Sequence, residues 1–240
     1  MSEESADLAA RLRAIRGEIA AACARSGREV SSVTLLGASK TQPASALLAA
    51  YEAGLTTFGE NRVQEARAKA AELPSAVCQG ISWHLIGPLQ SNKVKQALEL
   101  FTVFHAVDRP EIAVALDRAA AACGRQIAGF LEVNLGSEAS KHGFAPESLT
   151  ATVAPLAGLA HLRIAGLMAI PPQTEEPEAS RPWFQRLREL RDELAATPPW
   201  RGFPGWLSMG MSDDFPVAIE EGATHVRVGT ALFGPRRNRA

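Results

Sequence analysis

The feature that most constrains this chain is an alternation in which short apolar runs and helical stretches follow one another eight times. Each run is short enough for a buried strand, and the segment after it favours a helix. Eight successive βα units in a chain of 240 residues predict a single-domain (β/α)8 TIM barrel. A doubly wound open sheet is the alternative, because alternation alone does not close a sheet. The predicted strands are residues 33–39, 56–59, 83–87, 103–107, 127–134, 162–170, 206–209 and 225–229.

An additional helix is predicted over residues 5–25, where Leu8, Leu12, Ile15 and Ile19 recur every three or four positions. We expect residues 1–30 to pack on the barrel as part of one domain that spans residues 1–240. The last helix is expected to be a single turn. The other predicted helices are residues 44–53, 62–73, 92–100, 110–123, 146–157, 180–195, 215–221 and 231–233.

The bulk composition excludes several classes of function. The net charge is −1 and the isoelectric point is about 6.5, so no overall field attracts nucleic acid or an anionic membrane. The three cysteines lie far apart, without the spacing of a disulfide framework or a zinc site. No apolar stretch approaches the roughly 20 residues that span a bilayer, and the acidic N-terminus lacks a signal core. We therefore expect a cytoplasmic protein without a metal site.

Lys40 stands where the first predicted strand ends, immediately before Thr41-Gln42-Pro43. Ligands of α/β proteins bind at the carboxyl ends of the strands. A lysine behind a dry strand has little water to stabilise its ammonium group, which makes it a candidate amine nucleophile for a carbonyl compound. The alternative is an ordinary surface lysine at a strand terminus.

Two segments near the C-terminus have the composition of an anion site. Gly210 and Gly229 allow backbone N–H groups to approach a ligand, and Ser212 and Thr230 add hydroxyl groups. Barrels often bind phosphate with the loops after strands seven and eight, where short helices direct their N-termini at the ligand. The alternative is a pair of glycine turns with capping hydroxyls.

Arg227 lies within an apolar strand, between Val226 and Val228. An unpaired charge there is costly, so we expect the guanidinium to face a ligand or a carboxylate near the barrel mouth. An arginine that extends outward between helices is the alternative. A lysine that forms an imine, a phosphate cradle and a guanidinium together fit pyridoxal 5′-phosphate, with its ring nitrogen at Arg227. The positive charge there disfavours protonation of that nitrogen and weakens the ring as an electron sink.

The chain resembles the YggS/PROSC family of pyridoxal-phosphate-binding proteins, which are single-domain relatives of the alanine racemase barrel with fold type III. The departures from the family pattern are small: Gln42 replaces a residue that is often basic, and Gly37-Ala38 replaces a bulkier pair. The matching motifs are LGASKT at 36–41, FGENRVQE at 58–65, WHLIGPLQSNK at 83–93, VD at 107–108, VN at 133–134 with Lys141 and Gly143, GLM at 166–168, LSMGMS at 207–212 with Asp214, and RVGT at 227–230 with Phe233 and Gly234.

The resemblance implies that Lys40 carries the cofactor as a Schiff base and that the protein acts in intracellular vitamin B6 homeostasis. It also implies partners that receive or supply pyridoxal phosphate, namely apoenzymes that depend on it or enzymes of vitamin B6 salvage. The sequence leaves the oligomeric state open, with a monomer as the working expectation. The further cofactor-binding residues implied by the resemblance are Asn61, Met209, Ser212, Arg227, Gly229 and Thr230.

The sequence favours a binding protein over an enzyme. Racemases of this barrel type resemble one another in using a tyrosine from a second, all-β domain, and the eight βα units leave no residues for such a domain. The single tyrosine, Tyr51, falls late in the helix after the first strand. His84 and His105 lie within strands and are interpreted as packed core histidines. The alternative is that His84 replaces the missing tyrosine as a base. We therefore assign no catalytic residue.

Three hypotheses remain open from the sequence. The first is a carrier or regulator that holds and yields pyridoxal phosphate. The second is a weak one-base enzyme that uses this cofactor on amino acids, and the third is a class I aldolase that uses Lys40 on a sugar phosphate. Lys93, Lys95 and Lys141 follow strands three and five. They are either transient acceptors of pyridoxal phosphate or ordinary surface lysines.

Overall fold

Eight parallel strands follow one another in chain order around a closed barrel, and β1 pairs with β8 to close it. The computed structural model describes residues 3–136, 142–172 and 174–235. The closed sheet confirms the barrel and excludes the doubly wound alternative. The strands are β1 Thr34–Ala38, β2 Thr57–Glu60, β3 Ser82–Leu85, β4 Val103–Val107, β5 Ile127–Glu132, β6 Leu162–Met168, β7 Trp206–Ser208 and β8 His225–Val228.

Helices surround the barrel, and α1 packs against α2, α9 and α10. Arg28 strengthens this packing, because its Nη1 donates to the carbonyl groups of Ile219 and Ala223 at 2.7 and 2.8 Å. Within the described ranges, no helix has the length and apolar character needed to cross a membrane. The α-helices are α1 Glu3–Ser26, α2 Ala44–Glu52, α3 Val63–Glu72, α4 Ser75–Gly80, α5 Val94–Leu98, α6 Pro110–Ala122, α7 Leu149–Val153, α8 Arg181–Ala196, α9 Phe215–Glu220 and α10 Thr230–Phe233.

The predicted elements differ from the structure mainly at their ends. The strands predicted over 127–134 and 162–170 stop at Glu132 and Met168, because the apolar residues that follow belong to the loops at the barrel mouth. The helix predicted over 146–157 is divided into α7 and two 3-10 turns, Pro146–Ser148 and Ala154–Gly158. Pro155 explains the second division, since it lacks the N–H of an α-helix. The sequence reasoning missed α4 between β2 and β3.

The barrel wall separates an apolar layer from a polar interior. Val226 and Val228 of β8 join the large apolar cluster, which fills the space between strands and helices. His225 and Arg227 alternate with them, so their side chains lie inside the barrel. Ala106, Phe130 and Met168 form a small apolar cluster of their own. The interior of this barrel is therefore built around buried polar side chains.

Candidate functional site

Lys40 lies in a tight turn just beyond β1. The strand ends at Ala38, and the N–H of Gln42 donates to the Ser39 carbonyl at 2.9 Å to close the turn. Thr41 has a φ of 68°, a left-handed conformation that no other described non-glycine residue adopts. This conformation is sterically strained for a β-branched residue, so the surrounding contacts must hold the turn in place.

Three buried polar side chains, which we call the Glu60 cluster, lie beneath this turn: Ser39, Glu60 and Lys69. Lys69 Nζ donates to the Ser39 carbonyl at 2.7 Å and to Glu60 Oε1 at 2.6 Å. The Ser39 hydroxyl also donates to Glu60 Oε1, at 2.7 Å. Burial raises the pKa of Glu60, although the Lys69 ammonium opposes that shift. The cluster joins the end of β1 to β2 and α3, immediately before Lys40.

Four neighbouring strands bring the predicted site residues to one edge of the barrel. Lys40 and Asn61 follow the adjacent strands β1 and β2, which pair at Ala38 and Gly59. Gly229 and Thr230 follow β8, on the other side of β1, and Ser212 follows β7. The Ser212 hydroxyl accepts bonds from the N–H groups of Gly229 and Ala231, both at 3.2 Å. The hydroxyl keeps its own proton to donate.

Arg227 points into the barrel just below this edge, as the sequence predicted, and it is 4% exposed. Its Nη1 donates to the carbonyl and the hydroxyl of Ser208, at 2.8 and 2.7 Å. Its Nη2 donates to the Ala169 carbonyl at 3.0 Å. Burial lowers the pKa of Arg227 to about 10, although the negative charges of Glu132 and Asp214 oppose the shift. The group remains a guanidinium at neutral pH.

Asn61, which follows β2, lines a cavity of about 580 Å³ over strands β2 to β5. Its amide oxygen is buried and has no hydrogen-bond partner among the residues that the structure describes. A Cβ at Gly87 would lie 2.6 Å from the Asn61 carbonyl oxygen, so only glycine permits this close approach. The cavity is lined by Asn61, Arg62, Val63, Gln64, Pro88, Leu89, Gln90, Lys93, Asp108, Arg109 and His142.

A line of hydrogen-bonded side chains, which we call the histidine chain, crosses the barrel interior: Ser82, His84, His105 and Ser208. Ser82 Oγ lies 3.1 Å from His84 Nε2, and His84 Nδ1 lies 2.9 Å from His105 Nε2. His105 Nδ1 lies 2.7 Å from Ser208 Oγ. The structure therefore places both histidines in the packed interior, as the sequence favoured, and not at the barrel mouth.

Burial keeps the interior histidines neutral. It lowers the pKa of His84 to about 3, with help from the nearby His225, and it lowers the pKa of His105 far below the usual range. Burial and the charge of Arg227 lower the pKa of His225 to about 4. A neutral imidazole offers one donor and one acceptor, so these rings connect partners without adding charge.

Glu132 is the titratable group at the barrel mouth that the sequence reasoning missed. It ends β5, and burial raises its pKa to about 7. The negative charge of Asp108 adds to this shift, and the positive charge of Arg227 opposes it. Within the described part of the chain, no set of three or more His, Cys, Asp or Glu side chains is arranged to hold a metal ion.

The other predicted residues have varied positions. Met209 is fully buried in the apolar layer outside the barrel, so its side chain is directed away from Lys40. Lys93 lines the cavity, whereas Lys95 is exposed on α5. Lys141 lies outside the described residues. Tyr51 lies outside the barrel, because its hydroxyl approaches Gly80 of α4.

The comparisons with known proteins show the family of the chain. The family model described as the alanine racemase N-terminal domain matches residues 11–237. The pyridoxal phosphate homeostasis protein of Pseudomonas aeruginosa is 46% identical over 98% of this chain and 96% of its own length. Its counterpart in Aquifex aeolicus is 43% identical over 95% of this chain and 97% of its own length.

Solved structures of PipY from Synechococcus elongatus share the fold. The form without pyridoxal phosphate has a TM-score of 0.83 at 41% identity, and the form with it bound has a TM-score of 0.80 at 39% identity. Each comparison covers 95% of this chain and 100% of PipY. The chain therefore belongs to the family of the alanine racemase N-terminal domain and, within it, to the pyridoxal phosphate homeostasis proteins.

Proposed function

We propose that the chain binds pyridoxal 5′-phosphate as a Schiff base on Lys40 and serves in its intracellular homeostasis. The observation that carries the proposal is the convergence of Lys40, the N–H groups of Gly229 and Ala231, and Arg227 on neighbouring strands. The names of the homeostasis relatives and the PipY structure with pyridoxal phosphate support it.

The residues after β7 and β8 suit a phosphate group. The N–H groups of Gly229 and Ala231 already converge on one oxygen atom, that of Ser212. The Ser212 proton and the Thr230 hydroxyl add donors to the same edge. A Cβ at Gly210 would lie 2.6 Å from the Cβ of Ala218, so this loop needs glycine to pack as it does. A phosphate would bind these donors through its oxygens.

The residues around Lys40 suit the aromatic ring. The guanidinium of Arg227 has five N–H donors, and three of them are occupied by Ser208 and Ala169. The remaining two suit an acceptor such as an unprotonated pyridine nitrogen. The buried amide oxygen of Asn61 offers an acceptor on the other side of Lys40. These donors and acceptors match the polar groups on the ring of the cofactor.

When bound, pyridoxal phosphate supplies an aldehyde that condenses with a primary amine and releases water. In the proposed site, Lys40 provides this amine and Arg227 opposes a second positive charge on the ring. Tyr51 lies outside the barrel and none of the three cysteines follows a strand, so neither offers a second acid or base. The site is therefore suited to holding the cofactor, and we propose transfer to apoenzymes or from salvage enzymes as its use.

An absorbance titration with pyridoxal phosphate tests the proposal. We expect an imine band in the wild type that is absent in Lys40→Ala and retained in Lys93→Ala, the matched lysine of the cavity. Ser212→Ala should weaken binding by about tenfold while keeping the band, because it removes one donor to a charged group. An unchanged band in Lys40→Ala would refute the assignment, and no band in the wild type would refute binding.

A weak enzyme of amino acids is the second candidate, and Glu132 is the observation that favours it. A carboxyl group with a pKa of about 7 at the barrel mouth is suited to general acid–base chemistry. The test is the exchange of the α-hydrogen of amino acids for solvent deuterium. Exchange that is orders of magnitude faster than with free pyridoxal phosphate, and that is lost in Glu132→Gln, would show that the protein is an enzyme and not only a binding protein.

A further inference from the structure

The histidine chain ends at Ser208, which contacts Arg227, the residue that is proposed to meet the cofactor ring. Arg227 Nη1 donates to Ser208 Oγ, and Ser208 Oγ contacts His105 Nδ1 at 2.7 Å. The contacts then continue through His84 to Ser82 near the start of β3. Ser208 and His105 are fully buried, so solvent does not substitute for these contacts. A single line of hydrogen bonds thus runs along the barrel interior to Arg227.

The direction of this line follows from the chemistry of its ends. A guanidinium only donates, so Ser208 Oγ accepts from Arg227. The hydroxyl proton of Ser208 then has one remaining neighbour in the described part of the chain, His105 Nδ1. The opposite direction would leave this proton buried without an acceptor, which is unfavourable. His105 Nδ1 is therefore an acceptor, and a neutral ring carries its proton on Nε2.

The same reasoning determines the tautomer of His84. His105 Nε2–H donates to His84 Nδ1, so neutral His84 also carries its proton on Nε2 and donates it to Ser82. His105 stacks on Phe130 with a centroid distance of 4.4 Å, which restricts rotation of the ring. The charged or titratable groups that influence these rings are His225 and Arg227.

We propose that Ser208, His105 and His84 form a one-way hydrogen-bond chain that positions Arg227, with both histidines neutral and protonated on Nε2. In this hydrogen-bond chain the Ser208 hydroxyl can only accept from Arg227, because its own proton is donated to His105. The carbonyl groups of Ser208 and Ala169 complete the anchoring of the guanidinium. The guanidinium is thus fixed through Nη1 and Nη2. Among the residues that the structure describes, its other two N–H donors have no partner, so they are available to a ligand. The link to the pyridine nitrogen rests on the proposed function, whereas the direction of the chain does not.

Nitrogen-15 NMR of histidine-labelled protein without cofactor tests the direction. Couplings between ring protons and ring nitrogens distinguish the two neutral tautomers. We expect the Nε2–H tautomer for both His84 and His105, with no change between pH 5.5 and 8.5. An Nδ1–H tautomer at either ring, or a charged ring within this range, would overturn the proposal even if pyridoxal phosphate binds as proposed.

A pair of variants tests whether Ser208 positions Arg227. Ser208→Ala should allow a second tautomer at His105, weaken pyridoxal phosphate about tenfold and shift the pH midpoint of the imine band. Thr224→Val is the control, because its hydroxyl contacts the Leu207 backbone and His225. In the described part of the chain it contacts neither Arg227 nor the histidine chain. We expect the control to keep both the tautomer and the midpoint. Unchanged tautomers and an unchanged midpoint in Ser208→Ala would overturn the proposal. If the wild type binds no pyridoxal phosphate, the proposed function fails, but the tautomers of His84 and His105 still test the direction of the hydrogen-bond chain.

Discussion

The Glu60 cluster and the histidine chain are two buried polar groups that support neighbouring parts of the same barrel mouth. The Glu60 cluster lies between the strands and α3 and contains a full ion pair, Glu60 with Lys69. The histidine chain lies inside the barrel and contains neutral rings that lead to one guanidinium. The first holds the backbone that precedes Lys40, and the second holds the side chain of Arg227.

The difference shows two ways of keeping polar groups in a dry interior. An opposite charge compensates Glu60, whereas the interior histidines avoid charge altogether. The two regions should therefore respond in opposite ways to acid. Protonation relieves the buried carboxylate of Glu60, whose pKa is raised, but it places a charge on histidines whose pKa values are lowered.

The largest effect is expected from Lys69→Met. This change removes the ammonium group and leaves the Glu60 carboxylate buried, with the Ser39 hydroxyl as its one remaining donor in the described part of the chain. We expect the free energy of unfolding in urea to fall by about 3–5 kcal/mol, the usual cost of breaking a buried ion pair. Lys95→Met, on the exposed face of α5, should change it by less than about 0.5 kcal/mol.

The double variant Glu60→Gln/Lys69→Met sharpens this result. It removes both charges, so we expect it to recover most of the stability that Lys69→Met loses. A double variant that is no more stable than Lys69→Met would mean that packing of the lysine stem, and not charge compensation, explains the loss.

The next effect concerns acid and the interior histidines. His225 has a folded pKa of about 4 and an ordinary value of 6.5. A lowered pKa gives stability that is present above pH 6.5 and is lost as the pH falls towards 4. His225→Phe removes this loss. Between pH 6.5 and 4, the free energy of unfolding of the variant should therefore fall by up to about 3 kcal/mol less than that of the wild type. Urea unfolding across this range measures the curve, and parallel curves would contradict the burial effect.

An effect of similar size and opposite sign is expected at Glu132. Its folded pKa is about 7 and its ordinary value is 4.5. A raised pKa gives stability that is complete below pH 4.5 and is lost as the pH rises through 7. Glu132→Gln should therefore be more stable than the wild type by about 3 kcal/mol at pH 8 and nearly equal to it at pH 4. Equal stabilities at pH 8 would show that Glu132 ionises without penalty.

The smallest effect is expected at the turn above the Glu60 cluster. Thr41 has a φ of 68°, and glycine adopts this conformation without steric cost. Thr41→Gly should raise the free energy of unfolding by about 0.5 kcal/mol, because relief of strain exceeds the added entropy of the unfolded chain. Thermal unfolding detects this change. A lower melting temperature would show that Thr41 contributes contacts beyond its backbone.

The sequence was sufficient to predict the barrel, because the period of each element is a local property. β4 was predicted with the bounds that the structure has, and the single turn of α10 was also expected. Arg227 was predicted to face inward because it alternates with two valines in β8. The loops that follow β5 and β6 were harder to predict, since their apolar residues resemble a continuation of the strands.

Contacts between distant elements were not predictable in the same way. Lys69 is buried on the same face of α3 as Val63 and Ala66, so a lysine in an apolar stripe was the available signal. Its partners Ser39 and Glu60 follow from the barrel closure, which periodicity does not describe. His225 was given no role, although its alternation with Arg227 placed both side chains on one face of β8. Glu132 was missed because the predicted strand continued to residue 134.

Borohydride reduction followed by peptide mapping tests the role of Lys40 most directly. The wild type is incubated with excess pyridoxal phosphate, reduced and digested, and the modified lysine is identified by mass spectrometry. We expect a phosphopyridoxyl group on Lys40 that does not form on Lys93 or Lys95. A label on another lysine with Lys40 unmodified, or no label on the chain, would contradict the proposed Schiff base.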